Sequence, residues 1–177
     1  MLDPLTILAN QNGDFSHSVL FIGGYGLRVH GYFRNTNDID VLSSRSDLES
    51  LELELQKIGY KRAAETPIFA RFENDDLIFA PIDVLLLDDQ VFEKLAATAT
   101  EGQLSNNSVL APSPLNFIAL KLHAIKNDPV RKHKDLADIR ELITRHGSEI
   151  DEAEYLEIIE KYAPPQIVEE IREWINF

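Results

Sequence analysis

Four consecutive apolar residues, Val19-Leu20-Phe21-Ile22, run straight into Gly23-Gly24, the pattern of a short buried strand closed by a tight turn. Ahead of them, Asp3 followed by Pro4 reads as an N-cap and first helical residue, opening a short helix that ends by Gly13. Beyond the glycines, Leu27, Val29, Tyr32 and Phe33 predict a helix. Asp38-Ile39-Asp40-Val41-Leu42 alternates with a period of two, so it predicts a strand with its acids on one face and Ile39 and Val41 on the other. Leu48, Leu51, Leu55 and Ile58 recur at near-helical spacing, behind Ser46 or Asp47 as cap and ahead of Gly59 as stop. Residues 68–72 and 77–79, separated by the turn-like Asn74-Asp75-Asp76, predict a hairpin. Residues 82–87 form an apolar strand carrying one acid, Asp83, at its second position. A helix over 88–97 and a short edge strand over 109–111 complete this half.

After Ser113-Pro114, a cap and first-turn signature, the pattern turns helical over 114–126, 129–146, 151–162 and 165–175, punctuated by Pro129, Gly147 and Pro164-Pro165. Trp174 with Ile171 and Ile175 makes a packing stripe on the last segment. The fold class is α+β, a mixed β-sheet core flanked by helices with a helical C-terminal part. Its domains read as residues 1–111, the core, and 112–177, a helical part packed on it.

Composition narrows the chemistry. The chain has 177 residues, enough for a sizeable core, and no cysteine, so disulfides, thiolate zinc sites and a thiol nucleophile are excluded. No apolar run approaches the ~20 residues of a membrane helix, and the start lacks the basic region of a signal peptide. Cytoplasmic location and no membrane partner are therefore expected. A net charge of −13 argues against broad nucleic-acid binding. The charge is uneven, however: residues 121–146 carry seven Lys/Arg against four Asp/Glu, and residues 147–177 two against nine. A basic helical segment in an acidic chain suits a small anionic ligand.

The acids carry the sharpest signal. Asp38 and Asp40 stand on one strand face with Cα atoms roughly 6.5–7 Å apart, able to converge on hard cations. Asp83 sits in a strand that otherwise wants burial, which is costly for a carboxylate without a partner. Three carboxylates from two strands would suit Mg²⁺, with Mn²⁺ as a substitute. The blander alternative makes Asp38 a turn cap and leaves Asp40 and Asp83 in ion pairs with surface bases. Gly23-Gly24 at a helix start offers backbone N–H groups to a phosphate, or is simply a tight turn.

Together, Gly23-Gly24, Asp38-Ile39-Asp40 and the lone Asp83 resemble the motif set of the nucleotidyltransferase superfamily, the DNA polymerase β-like fold. The wording from Gly23 to Leu42 is similar to the AbiEii-type branch, bacterial proteins that include toxins of toxin–antitoxin pairs. Lys121 followed by Arg131, Lys134, Asp135 and Asp138 resembles that branch's helical motifs, and the resemblance spans roughly residues 19–143. It implies that residues 1–111 are a catalytic core and that Asp38, Asp40 and Asp83 are both catalytic and metal-binding. It further implies nucleotide binding by Gly23, Gly24, Arg34, Thr36, Lys121, Arg131, Lys134, Asp135 and Asp138. Asp135 and Asp138 share a helix face, and surface ion pairing is their plainer reading; Arg34 and Thr36 either touch phosphate or pin their loop. His30 reads as a packed or turn-stabilising group. One departure stands out: many members have Gly-Ser where this chain has Gly23-Gly24.

The implied activity is Mg²⁺-dependent transfer of a nucleoside monophosphate from an NTP to an acceptor. That acceptor is a tRNA end, a protein hydroxyl or a small molecule, and an antitoxin protein is a further implied partner. The alternative is a nucleotidyltransferase fold without catalysis, serving as a binding or regulatory module.

Overall fold

The computed structural model describes residues 4–9 and 18–175; Asp3 as cap and Gly13 as helix stop lie outside them. The described residues cluster into two compact units, one of residues 4–9, 18–29 and 33–112 and the other of residues 30–32 and 113–175.

The first unit holds α1 (Pro4–Ala9), β1 (Val19–Phe21), α2 (Gly23–Val29), β2 (Ile39–Ser44), α3 (Leu48–Gln56), β3 (Tyr60–Thr66), β4 (Phe69–Asn74), β5 (Ile82–Leu87), α4 (Asp89–Ala96), β6 (Thr100–Leu104) and β7 (Asn107–Ala111). Five strands form one mixed sheet in the order β1-β2-β5-β4-β3, while β6 and β7 pair by themselves. Only β2 and β5 run parallel, with Ile39 opposite Ile82 and Asp40 opposite Asp83. Alternation decides which side of each strand is dry: Ile39, Val41, Ile82 and Val84 are fully buried, against Leu51, Leu55 and Phe72 among others. The acids thereby take the opposite face.

Three expectations are corrected. The hairpin is β3–β4, turning at residues 67–68, and residues 77–79 are loop, with Leu77 97% exposed. Leu77 and Ile78 find no second layer to bury them, while Phe79 packs against the core from a loop. The helix after the glycines ends at Val29, not at Phe33, because Gly31 adopts a positive φ of 78° and turns the chain. The strand at 109–111 is longer, 107–111, and is an edge of the two-stranded sheet it forms with β6.

The second unit contains α5 (Pro114–Asn127), α6 (Lys132–His146), α7 (Glu152–Tyr162) and α8 (Val168–Arg172), joined by single 3₁₀ turns. Ser113 caps α5 through its hydroxyl, which accepts from Asn116 N–H at 3.3 Å, with Pro114 in the first turn. Asp151 caps α7 in the same way at 3.0 Å. The core here is Phe117, Leu122, Ile139, Leu142, Tyr155 and Ile171 with their neighbours. Tyr155 donates its hydroxyl to the Ile171 carbonyl at 2.8 Å, and burial pushes its phenol well up. His30 is a packed group, edge-on to Phe117 and His146, its carbonyl 3.1 Å from His146 Nε2. Ile171 and Ile175 are buried and Arg140 lies over the Trp174 ring, the packing stripe read from the sequence.

Candidate active site

The site lies at the leading ends of the two parallel strands. Asp40 and Asp83 are each the second residue of their strand and stand side by side in register. Asp38 falls just ahead of β2 rather than within it. The two strand starts are tied level by Ile39 N–H donating to the Pro81 carbonyl at 2.9 Å. Tyr60 steadies the approach to β5 by donating its hydroxyl to the Ala80 carbonyl at 2.7 Å; burial, with Tyr25 nearby, pushes its pKa up to about 12.

One oxygen from each of Asp38, Asp40 and Asp83 lies within 4.8 Å of the others, and all three residues are half-buried. Among the described residues no other group of three or more His, Asp or Glu side chains converges in this way. Three carboxylates so close repel one another unless positive charge joins them. An all-oxygen donor set of this kind fits a hard divalent cation.

Gly23 explains how the acids are packed. It has φ +56°, and a Cβ there would stand 1.9 Å from Asp40 Oδ2. Only glycine leaves room for that carboxylate at the start of α2. Ile22 N–H also donates to the Asp40 carbonyl at 2.9 Å, tying the turn to the strand.

Gly24 resolves the departure from Gly-Ser. A Cβ at that position would lie 2.7 Å from Thr36 Cβ and 2.8 Å from Thr36 Cγ2. Thr36 already fills the space a serine would use, and its hydroxyl donates to Asp38 Oδ1 at 2.6 Å. Thr36 therefore pins the loop carrying Asp38. Gly24→Ser is expected to destabilise the protein by about 1–3 kcal/mol, as overpacking does, and to cost clearly less in a Thr36→Gly background. Urea denaturation of the two single variants and the double variant reads this directly; additive effects would refute the steric account.

Arg71 was not legible as a site residue. It stands on β4 opposite Asp83, and its Nη1 lies 2.9 Å from both Asp83 oxygens. Burial lifts the Asp83 carboxyl, Arg71 pulls the other way, and Asp38 adds to the rise; the net shift is upward. An arginine three residues ahead of the Asn-Asp-Asp turn was a visible signal, but its partner depends on the β4–β5 register. Arg34, half-buried, donates from Nη1 to the Asn35 carbonyl at 3.5 Å.

The helical unit gathers the second motif. Lys121 Nζ lies 2.8 Å from Asp135 Oδ1 and 2.6 Å from Asp138 Oδ2, and all three residues are buried. The aspartates share one face of α6, as their spacing requires, but that face is buried against α5 rather than solvated. Arg131 reaches Asp135 Oδ2 from solvent at 3.2 Å, and Lys134 is exposed.

A glycine-fitted turn and three convergent acids on this mixed sheet define a nucleotidyltransferase. The chain belongs to the family described as uncharacterised nucleotidyltransferases, whose model matches residues 29–171. The fold is shared with solved enzymes at low identity. One is the crystal structure of ANT(2")-Ia in complex with adenylyl-2"-tobramycin, with a TM-score of 0.64 and 18% identity over 83% of this chain and 90% of that one. The solution structure of the antibiotic-resistance factor ANT(2'')-Ia gives 0.63 and 17%, over 89% and 88%. The lincosamide antibiotic adenylyltransferase LnuA, bound to lincomycin, gives 0.52 and 15%, over 71% and 85%. No curated protein matches the chain. Among the described residues no helix is long and apolar enough to cross a membrane.

Proposed function

We propose that this nucleotidyltransferase moves a nucleoside monophosphate from an NTP to a hydroxyl of a small cationic acceptor, with Mg²⁺ as its cation and Mn²⁺ as a substitute. The convergence of Asp38, Asp40 and Asp83 within 4.8 Å carries the reading. Bound there, the cation would supply charge neutralisation and polarisation of phosphate oxygens. Asp38 and Asp40 are the holding ligands, the first steadied by Thr36 and the second seated against Gly23. Asp83 would be the third ligand, and it is assigned to take the proton of the incoming hydroxyl. As that oxygen bonds to the α-phosphorus, the bond from α-phosphorus to the bridging oxygen breaks, and pyrophosphate leaves with the electron pair.

Phosphate contacts are assigned to the Gly23 and Gly24 backbone, to Arg34 and Thr36, and to the exposed cations Arg131 and Lys134. Lys121, Asp135 and Asp138 serve by holding the helix start that bears those cations. A net charge of −13 favours a cationic acceptor over RNA, and the fold's neighbours carry an aminoglycoside adduct and a lincosamide. Support for the AbiEii-type branch, with its antitoxin partner, rests on motif wording alone.

Calorimetry with each of the four NTPs and Mg²⁺ tests the reading. Wild type is expected to bind at least one, and the Asp38→Asn, Asp40→Asn double variant none. Ligand at about a hundred times its Kd should add about 2.7 kcal/mol to wild-type stability. Absence of binding to every NTP, with Mg²⁺ or Mn²⁺, would sink the proposal. Label from the bound NTP should then pass to an aminoglycoside mixture and not to tRNA.

A further inference from the structure

Arg71 does something at this site that a triad of ligands does not explain. Its Nη1 sits at 2.9 Å from both oxygens of Asp83, so one NH₂ group straddles the carboxylate. Its Nε is held at the same time by Glu73 Oε1 at 2.9 Å. Two anchors on neighbouring strands leave the guanidinium little freedom, and its side chain is only 33% exposed. A fixed positive charge therefore already occupies one side of the carboxylate that a divalent cation would share.

We infer that Arg71 is a positioning residue that serves as the resident counter-cation of Asp83, orienting the carboxylate and weakening divalent-cation binding to the nucleotide-free protein. The inference rests on the proposed transfer site. Its physical basis is like-charge repulsion between a guanidinium and a divalent ion drawn to one carboxylate, in surroundings that screen charge less than water does. Nucleotide phosphates bring the negative charge that offsets this repulsion. Cation and nucleotide binding are thereby coupled, and the free protein does not hold a tightly bound ion in a site without substrate.

The test is Mn²⁺ binding, followed by electron paramagnetic resonance, to wild type, Arg71→Gln and Arg71→Lys without nucleotide. Arg71→Gln is expected to bind Mn²⁺ about tenfold more tightly than wild type. Arg71→Lys, which keeps the charge, should stay within a few-fold of wild type. The further tightening of Mn²⁺ by a non-hydrolysable NTP analogue should shrink in Arg71→Gln and persist in Arg71→Lys. A residue that merely braced the strand would give the reverse, weaker Mn²⁺ binding in both variants.

A second readout needs no neutral variant. The Arg71 Nε–Hε resonance, identified by its loss in Arg71→Lys, should move in wild type as Mg²⁺ is titrated, in step with occupancy. Unchanged or weaker Mn²⁺ binding in Arg71→Gln overturns the inference, and so does a resonance that stays still at saturating Mg²⁺. Failure of wild type to bind any NTP, with the Arg71→Gln effect present, would overturn the transfer reading and leave the role of Arg71 standing. No Mn²⁺ binding in any of the three proteins would overturn both.

Discussion

Asp83→Asn should lower turnover by about 10³-fold, within the range that loss of a positioned acid–base group produces, while raising the melting temperature of the cation-free protein. The two effects have one origin. Asp83 is an acid in a strand whose other face is fully buried, and the fold raises its carboxyl above the ordinary value of 3.8. A group whose folded-state pKa is raised contributes stability when protonated and loses that contribution as pH climbs through the raised value. At neutral pH the ionised carboxylate is therefore a burden on the fold, and an amide of the same shape relieves it. Arg71 keeps its bond to Glu73 in the variant and is part-exposed, so it is not stranded. Mild acid, in a window above 3.8, should likewise raise the stability of the cation-free wild type but not of Asp83→Asn. Thermal melts at several pH values beside single-turnover rates measure both halves. A melting temperature that falls along with the rate would mean that Asp83 serves the fold and not the chemistry.

The largest loss of stability is expected at Lys121, far along the chain from the acids. Lys121→Met leaves Asp135 and Asp138 buried after the cation bridging them is gone. Breaking a buried pair from one side typically costs about 3–5 kcal/mol. Arg131 still reaches Asp135, which places the variant toward the lower end. The whole set need not be stabilising, because well-packed apolar replacements of buried ion pairs are often neutral or better. Lys121→Met combined with Asp135→Leu and Asp138→Leu is therefore expected to recover most of the loss. Denaturant unfolding of the single and triple variants decides it. Failure of the triple variant to recover would show that the polar network sets the pairing of α5 and α6 in a way hydrophobic packing cannot replace. NTP binding by the recovered triple variant would further show that these residues act by holding the helix start.

Part of this was legible from residue order because it depends on local periodicity. DIDVL announces its two faces, Asp83 is conspicuous in an apolar run, and the capped, proline-punctuated C-terminal segments become α5 to α8 almost as spaced. The strand β3 was invisible: apart from Tyr60 its residues are part-exposed or exposed, so burial writes no alternation into the sequence. The reverse error arose at residues 77–79, where Leu77 and Ile78 lie in solvent. Both failures have one cause, since periodicity reports burial and not backbone pairing.

The sequence by itself determined the ingredients of the candidate site, three carboxylates and two glycines, each tied to its own element by short-range rules, and separately a basic helical segment. The tertiary structure decided their relations. The register of β2 against β5 sets Asp40 beside Asp83, and that of β4 against β5 delivers Arg71 to Asp83. The fit of Thr36 against Gly24 makes the missing serine intelligible. Packing of α5 on α6 turns a spacing that looked like surface ion pairing into a buried bridge at Lys121. These are contacts between residues distant in the chain, and no local propensity encodes them, because each depends on which faces the hydrophobic core brings together.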